Sequence, residues 1–320
     1  MTNPVKRMIP KGLRMRIREM RKRRALQREF VSDGERYVVA APLAEGASSS
    51  LNALQREAQL TRDYHRIEKG LALDAPKRPF GAAVAERLDA LLPAAQAESP
   101  DAYYVAAATS ARAALTAWND GGAVDEIVAP EAPDGSRGCD DPEVFFTSRH
   151  SVRNFQQGSV DPATVAEAVR LATFSPSVCN RQPWKIRVFE GADVPRILKY
   201  QNGNRGFREN VPMLAVVSVE LAHFSGPGER NQAWIEGGIF SSSLVWAMHG
   251  LGLDSCMLNL SITNSAADAL REAAGIPASE VPIMMIAFGR GAEGHRVARS
   301  PRRELDAVLA LAPQEAPVRV

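Results

Sequence analysis

Apolar residues recur along this chain with two periods, and the change from one to the other marks its organisation. From about Ser50 to Lys69, and again from Ser99-Pro100 to Asn119, they repeat at helical spacing. In the second stretch Tyr104, Ala108, Ala111, Leu115 and Trp118 fall at i, i+4, i+7, i+11 and i+14, and Asp120-Gly121-Gly122 ends the run. Beyond residue 142 the pattern mixes. Lys185–Glu190 alternates like a strand, and Met213–Glu220, Ser255–Leu260 and Pro282–Phe288 are apolar runs of strand length. Helices are predicted between them over 161–173, 193–200, 231–250 and 264–274. The first has Asp161 as cap, Pro162 at its first position, and Val165, Ala168, Val169 and Ala172 on one face; the last has Asn264 as cap and closes at Gly275. Strands and helices mingle without strict βαβ alternation, so the expected class is α+β with a mixed, mainly antiparallel sheet flanked by helices, preceded by a helical region.

Two stretches rich in Ala, Pro, Gly, Ser or Asp, Ala40–Ser50 and Ala129–Asp141, read as linkers, and Asp74–Gly81 as a Pro-rich turn. They divide the chain into a basic arm with linker (1–49), a helical accessory region (50–141) and a mixed unit (142–320). No internal repeat is evident.

Charge changes this picture at one end only. The whole chain carries +2, but residues 1–30 hold eleven Lys/Arg against Glu19 and Glu29, which is +9 and leaves the remainder at −7. A basic arm on an acidic body points to an anionic membrane surface, a polyanion or an acidic partner. Leu13, Ile17 and Met20 would share one helical face, which leans toward a membrane surface; a solvated basic helix or a disordered tail is the plainer alternative. No specific nucleic-acid site is expected. No apolar run approaches the roughly 18–20 residues that span a bilayer, and no apolar core with a cleavage site follows the N-terminal charges, so a cytoplasmic protein, peripheral at the membrane if the arm binds there, is expected.

Several motifs resolve to ordinary structure. Cys139, Cys179 and Cys256 form no CxxC pair, which argues against a disulfide framework or a cysteine-rich zinc site. Cys179 has no histidine tied to it by a motif and reads as a small packed residue. Gly289-Arg290-Gly291-Ala292-Glu293-Gly294 matches GxGxxG after a predicted strand, yet no helix is signalled after it to hold a pyrophosphate. His65 and Glu68 stand at i, i+3 on a helix but lack a second ligand set, so no metal is expected.

The informative chemistry lies between Ser148 and Trp184. Ser148-Arg149-His150-Ser151-Val152-Arg153 is a basic, hydroxyl-bearing loop; a short helix follows; then comes Ser175-Pro176-Ser177-Val178-Cys179-Asn180-Arg181-Gln182-Pro183-Trp184. In an extended loop Arg149, Ser151 and Arg153 point to one side, and a guanidinium fork with a hydroxyl suits phosphate oxygens. Asn180 and Gln182 supply amides that both donate and accept, which suits the edge of a ring bearing carbonyls and N–H. An Arg-rich loop alone is ordinarily solvated surface; the second cluster at this distance is what lifts the pair above that reading.

From Phe145 to Leu311 the sequence resembles the FMN-dependent nitroreductase family, where an Arg-x-Ser-x-Arg/Lys run, a helix and a Ser-Pro-Ser-x-x-Asn-x-Gln-Pro-Trp loop occur in this order. Trp234–Asn259, with Gly250-Leu251-Gly252-Leu253-Asp254-Ser255-Cys256, is similar to the family's long central helix and its continuation. Arg299-Ser300-Pro301-Arg302-Arg303 is similar to its C-terminal cationic element. The resemblance implies FMN held by Arg149, His150, Ser151, Arg153, Pro176, Ser177, Asn180, Gln182, Arg299 and Arg302. It also implies backbone near Leu258 and Asn259 approaching the flavin N5, and, on a looser alignment, Asn204 and Arg205 beside the ribityl chain and ring. A homodimer is implied, the basic loop and C-terminal cations coming from one subunit and the Ser-Pro-Ser loop from the other.

The activity so implied is FMN-dependent transfer of hydride from NAD(P)H to a small organic acceptor of nitroaromatic or quinone type. No catalytic side chain is named, because the cofactor does the redox chemistry. Two alternatives stand beside it. One is other flavin chemistry on the same fold, such as dehydrogenation, dehalogenation or flavin breakdown. The other is a non-catalytic flavin-binding interaction protein at an anionic surface. The helical accessory region is not part of the family's common minimal enzyme.

Overall fold

The computed structural model describes residues 10–41, 51–73, 76–130, 140–298, 302 and 304–310. Its helices are α1 (Lys11–Ala40), α2 (Ala53–Leu71), α3 (Ala82–Glu98), α4 (Tyr103–Asn119), α5 (Pro142–Ser148), α6 (Pro162–Ala172), α7 (Asp193–Leu198), α8 (Gln232–Gly250) and α9 (Asn264–Ala274). The strands β1 (Trp184–Glu190), β2 (Met213–Glu220), β3 (Asp254–Asn259) and β4 (Glu280–Gly289) form one sheet in the order β1-β2-β4-β3, with every neighbouring pair antiparallel. A single parallel bridge, Ser151 to Ser255, adds the loop after α5 to the β3 edge. The fold is α+β.

Position in the sheet explains the strand sequences. β2 is central and buried along its whole length, so it reads as a nearly continuous apolar run. Its Met213, Ala215 and Val217 face a core shared with α6 and α8, while Leu214 and Val216 face a second core shared with α7 and α9. β4 carries a bulge where Val217 pairs Met284 but Ser218 pairs Pro282, so Val281 and Ile283 join the first core beside Ile286 and Phe288 despite their different parity. Pro282, which has no N–H to give a ladder, sits at this irregularity. α8 packs against the sheet, and Gly237 lets it lie directly on β4: a Cβ there would stand 2.5 Å from Ile283 Cγ1.

The N-terminal helices α2, α3 and α4 enclose a core of their own, with Leu60, Ile67, Leu88 and Leu115 fully buried. Asn52 and Gln55 form a reciprocal capping box at the start of α2. Asp63, wholly buried, accepts from Gln59, Arg66 and Arg87, the last through Nε at 2.9 Å and Nη2 at 2.6 Å. His65 Nδ1 lies 2.9 Å from Glu68 Oε2, and no group of three His, Cys, Asp or Glu placed for a metal occurs among the described residues.

Three sequence expectations shift. α3 is a full helix that the Ala-rich pattern and the interior Pro93 concealed. The cap of α9 is Thr263, whose hydroxyl accepts from Ala266 N–H, while Asn264 bonds Glu29 instead. The arm does not end in a free linker at Ala40. Tyr37, Ala40 and Ala41 are buried in the first core, and Tyr37 donates to the Gly226 carbonyl at 2.8 Å. The 42–50 part of that expected linker, and 131–139 of the second, lie outside the described residues.

Candidate functional site

The basic loop is held by main-chain bonds at both ends. Val152 N–H donates to the Ser255 carbonyl at 3.0 Å, and Gln156 N–H and Ala292 N–H tie residues 154–156 to the chain leaving β4. Val152 and Phe155 turn into the second core, which leaves Arg149, Ser151 and Arg153 on the other side. With His150, Ala298 and Arg302 they line a pocket of about 210 Å³. Arg149 is braced over the Trp246 ring, 5.4 Å from its centroid, and Ser148 Oγ bonds His249 Nε2 at 2.9 Å. Trp246 and His249, one turn apart on α8, were not singled out from sequence, although an aromatic and a histidine at i, i+3 on an apolar helix are the available signal. Arg302 also lines this pocket; Arg299 lies outside the described residues.

The same Ser255 contact fixes the orientation of β3. Because its carbonyl points away from β4, so do the backbone groups of the alternate residues Met257 and Asn259, while those of Leu258 face β4. Leu258 puts its side chain into the second core, and the Asn259 carbonyl accepts from Gln201 Nε2 at 3.1 Å. The outward amide of this edge is therefore that of Asn259 or Met257 rather than Leu258. Asn204 is fully buried, with its amide committed to the Leu198 and Gln201 carbonyls and to Arg208. Its hydrogen bonds hold the 198–208 loop together. Its neighbour Arg205 lines a cleft with Lys199 and Arg208.

The second cluster is a strained turn. Cys179, Asn180 and Gln182 have φ of 49°, 52° and 47°, a left-handed conformation that costs a non-glycine residue about 1 kcal/mol or more each. Internal bonds hold it. Ser177 accepts from Asn180 N–H through its carbonyl and from Gln182 N–H through its hydroxyl, both at 2.9 Å, and Val178 N–H donates to Glu236 Oε1 at 2.8 Å. Gln182 Nε2 bonds Asn180 Oδ1 at 3.2 Å, and both side chains are half-buried. Pro176 is exposed beside them.

Beneath this turn lies a buried ionic layer that sequence inspection did not find. Arg181 is fully buried; it donates to Glu229 through both arms and to the His223 carbonyl. Burial alone would raise the Glu229 carboxyl, but the Arg181 hydrogen bond and charge, with Ser225 N–H, bring it below its ordinary value. His223 donates from Nδ1 to the Arg181 carbonyl, and burial, followed by the charge of Lys185, lowers its pKa to about 4. α2 packs directly on the Val178–Asn180 and Leu221–His223 turns, so the accessory helices buttress this loop.

One copy of the chain does not bring the two clusters together. The basic loop joins β3 at one edge, level with Phe288 and Glu190; the strained turn leads into Trp184 at the opposite edge, level with Val219. Three inter-strand steps and six residues of strand separate these corners, roughly 25 Å on the diagonal.

A family model described as "Nitroreductase family" matches residues 146–204 and 190–290. No curated relative matches the chain. Among solved structures, a nitroreductase family protein from Streptococcus pneumoniae TIGR4 is 18% identical over 54% of this chain and 100% of its own, with a TM-score of 0.47. An FMN-dependent nitroreductase from Clostridium difficile R20291 is 21% identical over 49% and 91%, with a TM-score of 0.42. An FMN- and NADPH-dependent nitroreductase from Sphigopyxis sp. strain HMH is 19% identical over 54% and 100%, with a TM-score of 0.45. Residues 146–290, somewhat under half of the chain, match the nitroreductase family model, and the helices α1–α4 lie N-terminal to the matched residues.

Proposed function

We propose that the protein is an FMN-dependent oxidoreductase, working as a homodimer, that takes hydride from NAD(P)H and passes electrons to a small organic acceptor. The observation that carries this reading is the pair of complementary half-sites on the nitroreductase-family unit. The pocket of Arg149, Ser151, Arg153 and Arg302 offers guanidinium forks and a hydroxyl of the kind a phosphate dianion requires. The hydrogen-bonded Asn180 and Gln182 carboxamides are groups that both donate and accept, the chemistry that the imide edge of an isoalloxazine ring requires. One phosphate pocket fits a mononucleotide, and the GxGxxG run after β4 forms turns and a bridge to Phe155 rather than a helix start.

Because the half-sites occupy opposite corners, a second copy must bring its strained turn to the basic pocket of the first. α8 supports such a pairing. Its Trp234 and Ile235 are exposed and its Ile239 and Trp246 only partly covered, Trp246 lying against the exposed Phe146 of α5.

When bound, FMN supplies the two-electron chemistry between the nicotinamide and the acceptor. The chain's own residues bind and orient. The guanidinium groups hold the phosphate, the outward amide of the β3 edge donates a hydrogen bond at the ring, and nearby cations favour negative charge there. The buried Arg181 layer keeps the turn in its strained shape. The purified protein should be yellow, release FMN on heating, and oxidise NAD(P)H in the presence of quinone or nitroaromatic acceptors. Release of FAD, or no flavin after reconstitution with excess FMN, overturns the reading.

A further inference from the structure

We propose that residues 11–28 of α1 dock on an anionic lipid bilayer and hold the protein there as a peripheral membrane enzyme. The hydrogen bonds and ion pairs that fasten α1 to the body, among the described residues, all lie at its far end. Glu29 accepts from Asn264 N–H at 2.7 Å, Arg36 pairs with Asp268 at 3.7 Å, and Tyr37 reaches Gly226. The 18 residues before Glu29 extend about 27 Å at the helical rise. Between Lys11 and Arg28 the sequence holds nine Lys/Arg and one acid, Glu19.

Exposed apolar residues stand on both sides of the helix, Met15, Leu26 and Phe30 toward the body side and a second set away from it. Glu29, Arg36, Tyr37 and Ala40 define the side that meets the body. At 100° per residue Leu13, Ile17, Met20 and Val31 fall on the opposite side, with Leu13 50% and Met20 51% exposed. Arginines flank this stripe on both sides. A helix with an apolar stripe set among arginines suits the interface of a bilayer, where the stripe enters the acyl boundary and the guanidinium heads reach the phosphates along their aliphatic stems. Nucleic acid would satisfy the arginines but leave the stripe in water, so the apolar residues favour lipid.

The rest of the chain sharpens the geometry. Residues 31–320 carry −7, so an anionic surface repels the body and attracts only the arm. The contact is confined to the helix, and α5 to α9 remain free to pair with a second copy.

The test is flotation of the full-length protein with vesicles of phosphatidylglycerol and phosphatidylcholine, against phosphatidylcholine alone, at low and high salt. Binding should require phosphatidylglycerol and weaken as salt rises. Leu13→Ser combined with Met20→Ser leaves the charge unchanged and touches only exposed positions; it should weaken vesicle binding at least about tenfold. Deletion of residues 1–28 should abolish it and leave flavin content as in the full chain. The proposal fails if the double serine variant binds vesicles as tightly as the parent, or if the full chain ignores anionic vesicles at low salt. It fails also if duplex DNA is bound more tightly than the vesicles, or if the deletion strips the flavin.

Discussion

Arg181 and Glu229 face each other as a two-point ion pair beneath the strained turn, with Nη2 2.7 Å from Oε1 and Nη1 2.8 Å from Oε2. Arg181 is fully buried, so the pair's value lies in completeness: either partner alone leaves a charge in low dielectric. Glu229→Ala should destabilise the fold by about 3–5 kcal/mol, measured by urea unfolding. A loss below about 1 kcal/mol would mean that water or another carboxylate replaces Glu229.

His223 gives the fold a pH dependence of defined sign. Its folded pKa, about 4, lies below the unfolded value of 6.5, so between these values the unfolded chain binds a proton that the folded chain does not. Stability is therefore greatest above pH 6.5, falls as pH drops toward 4, and is no longer altered by this group below that. Glu229, held below its ordinary carboxyl value, adds a loss in the same direction at more acidic pH. His223→Asn keeps a donor near the place of Nδ1 and removes the titration. It should flatten the change in unfolding free energy between pH 7 and 5, and an unchanged slope would assign the effect elsewhere.

Arg149→Ala should weaken FMN binding by about ten- to a hundredfold, the cost of one charge-assisted contact of about 1.5–3 kcal/mol. Arg149 is pre-positioned over Trp246, whereas Arg153 Nη1 turns back to the Ser151 carbonyl, so Arg153→Ala should cost less. Arg181→Ala should act through stability instead. Titration of flavin-free protein with FMN distinguishes these; equal losses at 149 and 153 would indicate general positive charge in place of a shaped pocket.

Ile235→Lys tests the requirement for two copies. Ile235 is 52% exposed on α8, so a lysine there leaves the single copy foldable and places a charge where a partner would pack. The expected outcome is a folded monomer with little flavin, read by sedimentation and the visible spectrum. A monomer that keeps its flavin would show that one copy builds a complete site.

Most elements and the local pieces of chemistry were legible in the chain, α3 with its interior Pro93 being an exception. The strand β2 is legible because a central strand is buried on both faces and so reads as an uninterrupted apolar run, and α6 because cap, proline and apolar spacing agree. Arg149, Ser151 and Arg153 were legible as one-sided because alternation is a local property of extended chain, and the loop's pinning to Ser255 preserves it. What only the tertiary structure decided are relations between distant residues. The inward turn of Arg181 depends on Glu229, the left-handed φ at Cys179 and Asn180, and the roof that α2 provides. Tyr37 belongs to the main core because Gly226 stands opposite it, 189 positions along the chain. The bulge at Pro282 exchanges which side of β4 faces α8, something no periodicity reveals. The sheet order, finally, sets the basic pocket and the strained turn at opposite corners. Two motifs separated in sequence by one short helix and its flanking loops are thereby set apart by the width of the sheet, because strand order is fixed by packing of both faces and not by proximity along the chain.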